Sequence, residues 1–192
     1  MLPLLLFVVL QSTVGQPAPA VNPLLADCSG ERNTQSCRSF NQLVESKDKH
    51  LLLSLSQDAY ACFRPGDDVF FVVSFTQPPG NPDHLPVVTY QMFKGGVSDD
   101  FRTVEGSWAK APDGSSVFHQ NKSSEASASI TGAEVQFGYS FKNAQGSDVG
   151  YSVQVRRSTL RFSEAYKWPN PEDRGQNPDR YTGYCVSYRS AR

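Results

Sequence analysis

A chain of 192 residues is the length of one ordinary domain with a core of its own. Its 18 basic and 19 acidic residues leave a net charge of -1. That balance argues against nucleic acid, which needs a basic stripe to release counterions, and against polybasic attachment to a membrane surface.

Residues 2–10 are an apolar run broken only by Pro3. The run is too short to span a bilayer, which takes ~20 residues, and it fits the apolar region of a secretory signal peptide. Thr13 and Gly15 place cleavage before Gln16, although no Lys or Arg precedes the run. The expected division is a signal peptide over 1–15, a flexible Pro- and Ala-rich tail over 16–27, and a single domain over 28–192. No second apolar span follows, so no transmembrane segment is expected in the mature chain. An exported location, secreted or periplasmic, makes an even count of cysteines a disulfide framework. Cys28, Cys37, Cys62 and Cys185 allow three pairings. The preferred one joins Cys28 to Cys37 around a short loop and Cys62 to Cys185 between an early and a late strand. No CxxC pair or neighbouring His suggests zinc.

One helix is predicted, over residues 40–47, because Ser39 and Gln42 form a capping-box pattern and Phe40, Leu43 and Val44 share a face. Period-2 signals then take over. Leu51, Leu53 and Leu55 open a strand expected to run to Phe63. After the turn residues Arg64, Pro65, Gly66 and Asp67, residues 69–75 are apolar on both faces, as in a strand covered on both sides. This turn and strand resemble the hairpins of immunoglobulin-like extracellular modules. The resemblance covers about a dozen residues and implies a fold, not a function. Residues 77–86 hold four prolines and read as a loop.

Strands follow at 87–93, 101–108, 117–120 and 126–130. A strongly alternating hairpin spans 134–142 and 149–156, with one wet and one dry face. Another strand starts at Leu160 and fades near Trp168, a polar loop covers 169–180, and a last strand surrounds Cys185. Many short strands with turns between them predict a mostly β, antiparallel sandwich of immunoglobulin-like or jelly-roll type, with a closed barrel as the alternative.

No nucleophile elbow, phosphate loop, dinucleotide turn or HExxH motif is present, and His50, His84 and His119 are scattered. No cofactor or catalytic residue is assigned. Asp67–Asp68 and Asp99–Asp100 lie in turns, where Asp serves the backbone more often than calcium. Glu164 falls in the apolar phase after Phe162, and an inward glutamate is a candidate for acid–base work. A strand ending or bulging at Ser163 would expose it instead, which is the favoured reading. Aromatic rings are the one suggestive group. Trp108, Tyr166, Trp168, Tyr181 and Tyr184 are candidate platforms for a ligand, the last four flanking the polar loop, although core packing is the ordinary use of such rings. The expected function is a non-enzymatic binding or interaction module whose partner is a carbohydrate or another extracellular protein. The alternatives are an extracellular polysaccharide-active enzyme using Glu164 and a structural envelope component.

Overall fold

The computed structural model describes residues 24–76, 87–121, 125–170, 172 and 180–189. The expected signal peptide, the loop at 77–86 and most of the loop at 169–180 lie outside these residues.

Among the described residues, two α-helices precede the strands: α1 (Gln35–Glu45) and α2 (Lys49–Leu55). Both differ from the sequence expectation. Thr34 caps α1 by accepting the Cys37 amide at 3.2 Å, five residues before the expected cap Ser39, which is buried within the helix. Residues 51–55 are helical and not a strand. Asp48 accepts the Leu51 amide at 2.8 Å and starts a turn that puts Leu51 and Leu55 on one buried face. Three alternating leucines fit either period, and the aspartate cap decides between them.

The described residues then form ten strands: β1 (Asp58–Phe63), β2 (Val69–Phe75), β3 (Val87–Lys94), β4 (Val97–Lys110), β5 (Ser116–Gln120), β6 (Ala126–Ile130), β7 (Glu134–Lys142), β8 (Asp148–Arg156), β9 (Arg161–Lys167) and β10 (Arg180–Tyr188). Each pairs antiparallel with its neighbours in the chain, and β10 pairs with β1. The sheet is therefore a closed barrel, the alternative architecture, and not a sandwich. Alternation along a strand is the same whether its dry face meets a second sheet or its own far side. Pairing of the first strand with the last decides the matter, and it leaves no free edge. Cys62 and Cys185 sit opposite each other in that closing pair and are bonded, as are Cys28 and Cys37.

The barrel interior holds one core, built from Phe71, Val73, Tyr90, Phe118, Ile130, Phe137, Val153, Phe162 and their neighbours. The outer face of β7 and β8 is polar. This alternation is the reverse of a membrane-spanning barrel, which carries its apolar band outside. Among the described residues, no helix is long and apolar enough to cross a membrane. A second core lies outside the barrel, where α1 and α2 cover β1, β2 and β10. Phe40 meets the rings of Phe63 and Phe70 edge-on at 5.3 and 5.5 Å. These two cores explain why every residue of β2 is buried.

Of the tail, residues 24–27 are described and are tied down. Asn41 pairs with both backbone groups of Ala26, and the Tyr188 hydroxyl donates to the Leu24 carbonyl. Ser36 on α1 donates to the carbonyl of Arg64 at 2.8 Å, so the outer helix fixes the turn from which the main polar group of the interior departs. On β10, position 183 shares the parity of the interior Cys185, and it is glycine because a Cβ there would overlap the Phe63 carbonyl oxygen and the Phe162 ring.

Candidate functional site

Arg64 closes the end of β1 and turns its side chain into the barrel, where only 5% of the residue is exposed. Its Nε donates to Glu164 Oε2, and its Nη2 donates to the Tyr166 hydroxyl at 2.7 Å. Asp67 lies 3.6 Å from Nη1. The guanidinium also sits over the Tyr181 ring, 4.1 Å from its centroid. Strand β9 continues without a bulge through Ser163, so Glu164 faces inward and is 0% exposed. This corrects the expectation of an exposed Glu164. The strand needs no bulge because a buried cation waits opposite the carboxylate.

Tyr151 donates to the other carboxylate oxygen of Glu164. With its own proton committed, Tyr151 accepts one from Tyr90, 2.8 Å away. A chain of bonds thus runs from the turn at Arg64 to the middle of the barrel. Burial works against the charge on Arg64, but the hydrogen bond and charge of Glu164 outweigh it and raise its pKa. Burial, with Glu164 nearby, pushes the hydroxyls of Tyr90 and Tyr151 well above their ordinary range. Tyr166 is pushed up to about 12, again mainly by burial.

These shifts set a pH window. An unfolded tyrosine titrates near ~10. A raised folded value means the native state keeps its protons longer, so this stabilisation is complete below about pH 10 and disappears as pH rises through the folded values. Each such tyrosine should steepen the loss by roughly 1.4 kcal/mol per pH unit. Urea unfolding midpoints between about pH 9 and 11.5 should fall sharply above 10. Tyr151→Phe should flatten that slope.

Above this network lies a hollow of about 590 Å³ at one end of the barrel. It is formed by the β1–β2 turn, the β3–β4 turn, the end of β9 and the start of β10. Three of the five aromatic candidates meet here. Trp168 stacks on Tyr166 with 6.1 Å between centroids and 20° between planes, and Tyr181 meets Tyr166 edge-on at 6.0 Å. The other two lie elsewhere. Trp108 packs on Phe118 and Phe75 and donates to the Thr76 carbonyl at 2.9 Å. Tyr184 is on the outer face, where its hydroxyl donates to the Arg32 carbonyl at 2.6 Å. Asp67, Asp68 and Asp99 border the hollow, while Asp100 pairs with Arg102 at 3.0 Å. Among the described residues, no three His, Cys, Asp or Glu side chains are grouped to hold a metal ion.

Another hollow, of about 740 Å³, lies at the opposite end beside Tyr60, Phe75 and Arg157. There the arginine is occupied internally, donating to the Tyr60 hydroxyl at 3.0 Å and the Thr131 carbonyl at 2.7 Å. Gln57 Oε1, beside the start of β1 at that same end, is buried without a partner, and so are two atoms at the Arg64 end. Asp68 Oδ1 and Trp168 Nε1, both bordering the hollow, are closed off from solvent and make no hydrogen bond.

Arg64 escaped the sequence reading because Pro65 and Gly66 mark it as a turn residue, and its partner Glu164 is 100 residues away. Tyr151 reads as an ordinary dry-face residue of its hairpin, and Tyr90 carries no mark within the strand expected over 87–93. No family model matches this chain, and neither does any curated protein or solved structure.

Proposed function

We propose that the protein is a secreted or periplasmic, non-enzymatic binding module that takes a small ligand at the Arg64 end of its barrel. One observation carries the reading: a hollow of ligand size, about 590 Å³, whose aromatic walls Tyr166, Trp168 and Tyr181 stand over a charged network already locked in place. A floor ordered beforehand lowers the entropy lost on binding. The exported location rests on the apolar leader and the two disulfides.

Rings of this kind stack on the flat faces of sugars and of aromatic molecules alike, so carbohydrate remains a ligand class to be tried. The polysaccharide-hydrolase alternative is less well supported. Glycoside hydrolysis needs a second carboxylate facing the first across a cleft. Glu164 has Arg64 on one oxygen and Tyr151 on the other.

The protein carries its own reporter. It has two tryptophans, Trp108 and Trp168. In a Trp108→Phe variant, emission comes from Trp168 at the hollow. Titration with a library of oligosaccharides, nucleosides, amino acids, amines and fatty acids should find compounds that shift this emission. Adding Tyr181→Ala should weaken their binding at least tenfold. If no compound alters Trp168 emission at millimolar concentration, the reading is wrong.

A further inference from the structure

Resting on the reading of this hollow as a ligand site, we propose that its ligand is a small organic cation: an ammonium group on an aromatic body that carries a hydrogen-bond acceptor at its far end. The charge balance of the walls comes first. Among the described residues, Arg64 is the only guanidinium that lines the hollow, and its charge is taken up from beneath by Glu164. What remains is Lys94 against the carboxylates of Asp67, Asp68 and Asp99. Asp67 is partly spent, accepting the Val69 amide at 3.2 Å and facing Arg64. The surplus is negative, and an anionic ligand would enter against it.

The unpartnered atoms sharpen the choice. A buried polar atom without a partner costs about 1–3 kcal/mol, so a ligand that supplies the partner recovers that cost. Asp68 Oδ1 calls for a donor, and beside an acidic surplus the strongest donor is an ammonium. Trp168 Nε1 calls for an acceptor. The same hollow is lined by Tyr166, Trp168 and Tyr181, whose rings attract both flat rings and cations, and by the soft side chain of Met92. A bare metal ion would satisfy neither Trp168 nor the rings.

Three probes share one body and differ in the terminal group: tyramine, an ammonium; tyrosol, a neutral alcohol; and 4-hydroxyphenylacetate, an anion. Their phenol oxygen can accept from Trp168. Binding to the Trp108→Phe protein should follow the order tyramine, tyrosol, 4-hydroxyphenylacetate, with at least a tenfold gap between the first and the last. Asp68→Asn keeps size and shape, and the backbone bond from Gly95 to the Asp68 carbonyl is independent of the side chain. This variant should lose at least tenfold in tyramine affinity and leave tyrosol unchanged. Equal or tighter binding of the anion, or an Asp68→Asn variant that still prefers tyramine, overturns the cation assignment while leaving a ligand site in place. If all three probes fail while another library compound shifts Trp168 emission, the assignment falls alone. If the whole library fails, both readings fall.

Discussion

Replacing Glu164 with leucine is expected to cost roughly 3–5 kcal/mol of folding stability, the range for removing one partner of a buried ion pair. The volume change is small, so the loss arises from charge. Arg64 stays protonated at any ordinary pH, its side chain is only 6% exposed, and its carbonyl is anchored by Ser36, so it cannot simply swing into solvent. Asp67, at 3.6 Å and partly exposed, is too distant to replace a carboxylate held against Nε. Tyr151 would also lose its acceptor. The double variant Arg64→Met with Glu164→Leu separates the explanations. Removing both charges together should restore most of the stability, because a buried pair often contributes little over a well-packed apolar replacement. Urea denaturation of the wild type, the single variant and the double variant gives the comparison. A single variant within about 1 kcal/mol of wild type would mean that Arg64 finds another partner or reaches water, and that the floor of the hollow is not rigid. The double variant should fold yet bind ligands poorly at Trp168, since Tyr166 and Tyr181 would lose the cation that fixes them.

The strands were largely legible. Val135, Phe137 and Tyr139 alternate with polar residues, and so do Tyr151, Val153 and Val155. They form the β7–β8 hairpin with full register, and their dry face turns out to be the barrel interior. Apolar residues on both faces of β2 announced a second covering layer, which α1 and α2 supply. Closure was not legible, because it depends on β1 meeting β10 across more than a hundred residues, and neither strand carries a local mark of its partner beyond a cysteine. The site divides in the same way. Tyr166, Trp168 and Tyr181 could be grouped because they flank one loop. Tyr184 was grouped with them for the same reason, yet its parity on β10 opposes that of Tyr181 and Cys185 and sends it to the outer face. Parity counted from Cys185, whose partner Cys62 lies in the interior core, is the signal that separates them. The polar network is a property of the closed barrel: Tyr90, Tyr151, Glu164 and Arg64 lie on four different strands or their ends.

Opening the Cys62–Cys185 bridge, as Cys62→Ala with Cys185→Ala, is expected to have the other large effect. With a sequence separation of 123 between the two cysteines, the chain-entropy treatment gives a loss of ~5 kcal/mol. The Cys28–Cys37 bridge spans a separation of 9, and the same treatment gives ~2.7 kcal/mol for Cys28→Ala with Cys37→Ala. The two losses should also differ in place. The long bridge lies on the seam that closes the barrel, where β1 meets β10, and Arg64 follows β1 directly while Tyr181 stands on β10. Loosening that seam moves the guanidinium away from the ring it covers. Amide exchange in the variant lacking the long bridge should accelerate along β1 and β10, and affinity at the Arg64 hollow should fall. In the variant lacking the short bridge, acceleration should centre on residues 24–33 and the start of α1, with the hollow preserved. Equal stability losses in the two variants, or fast exchange spread evenly over all ten strands in the first, would show that the bridge is not what holds the seam, and that the β1–β10 hydrogen bonds suffice to close the barrel.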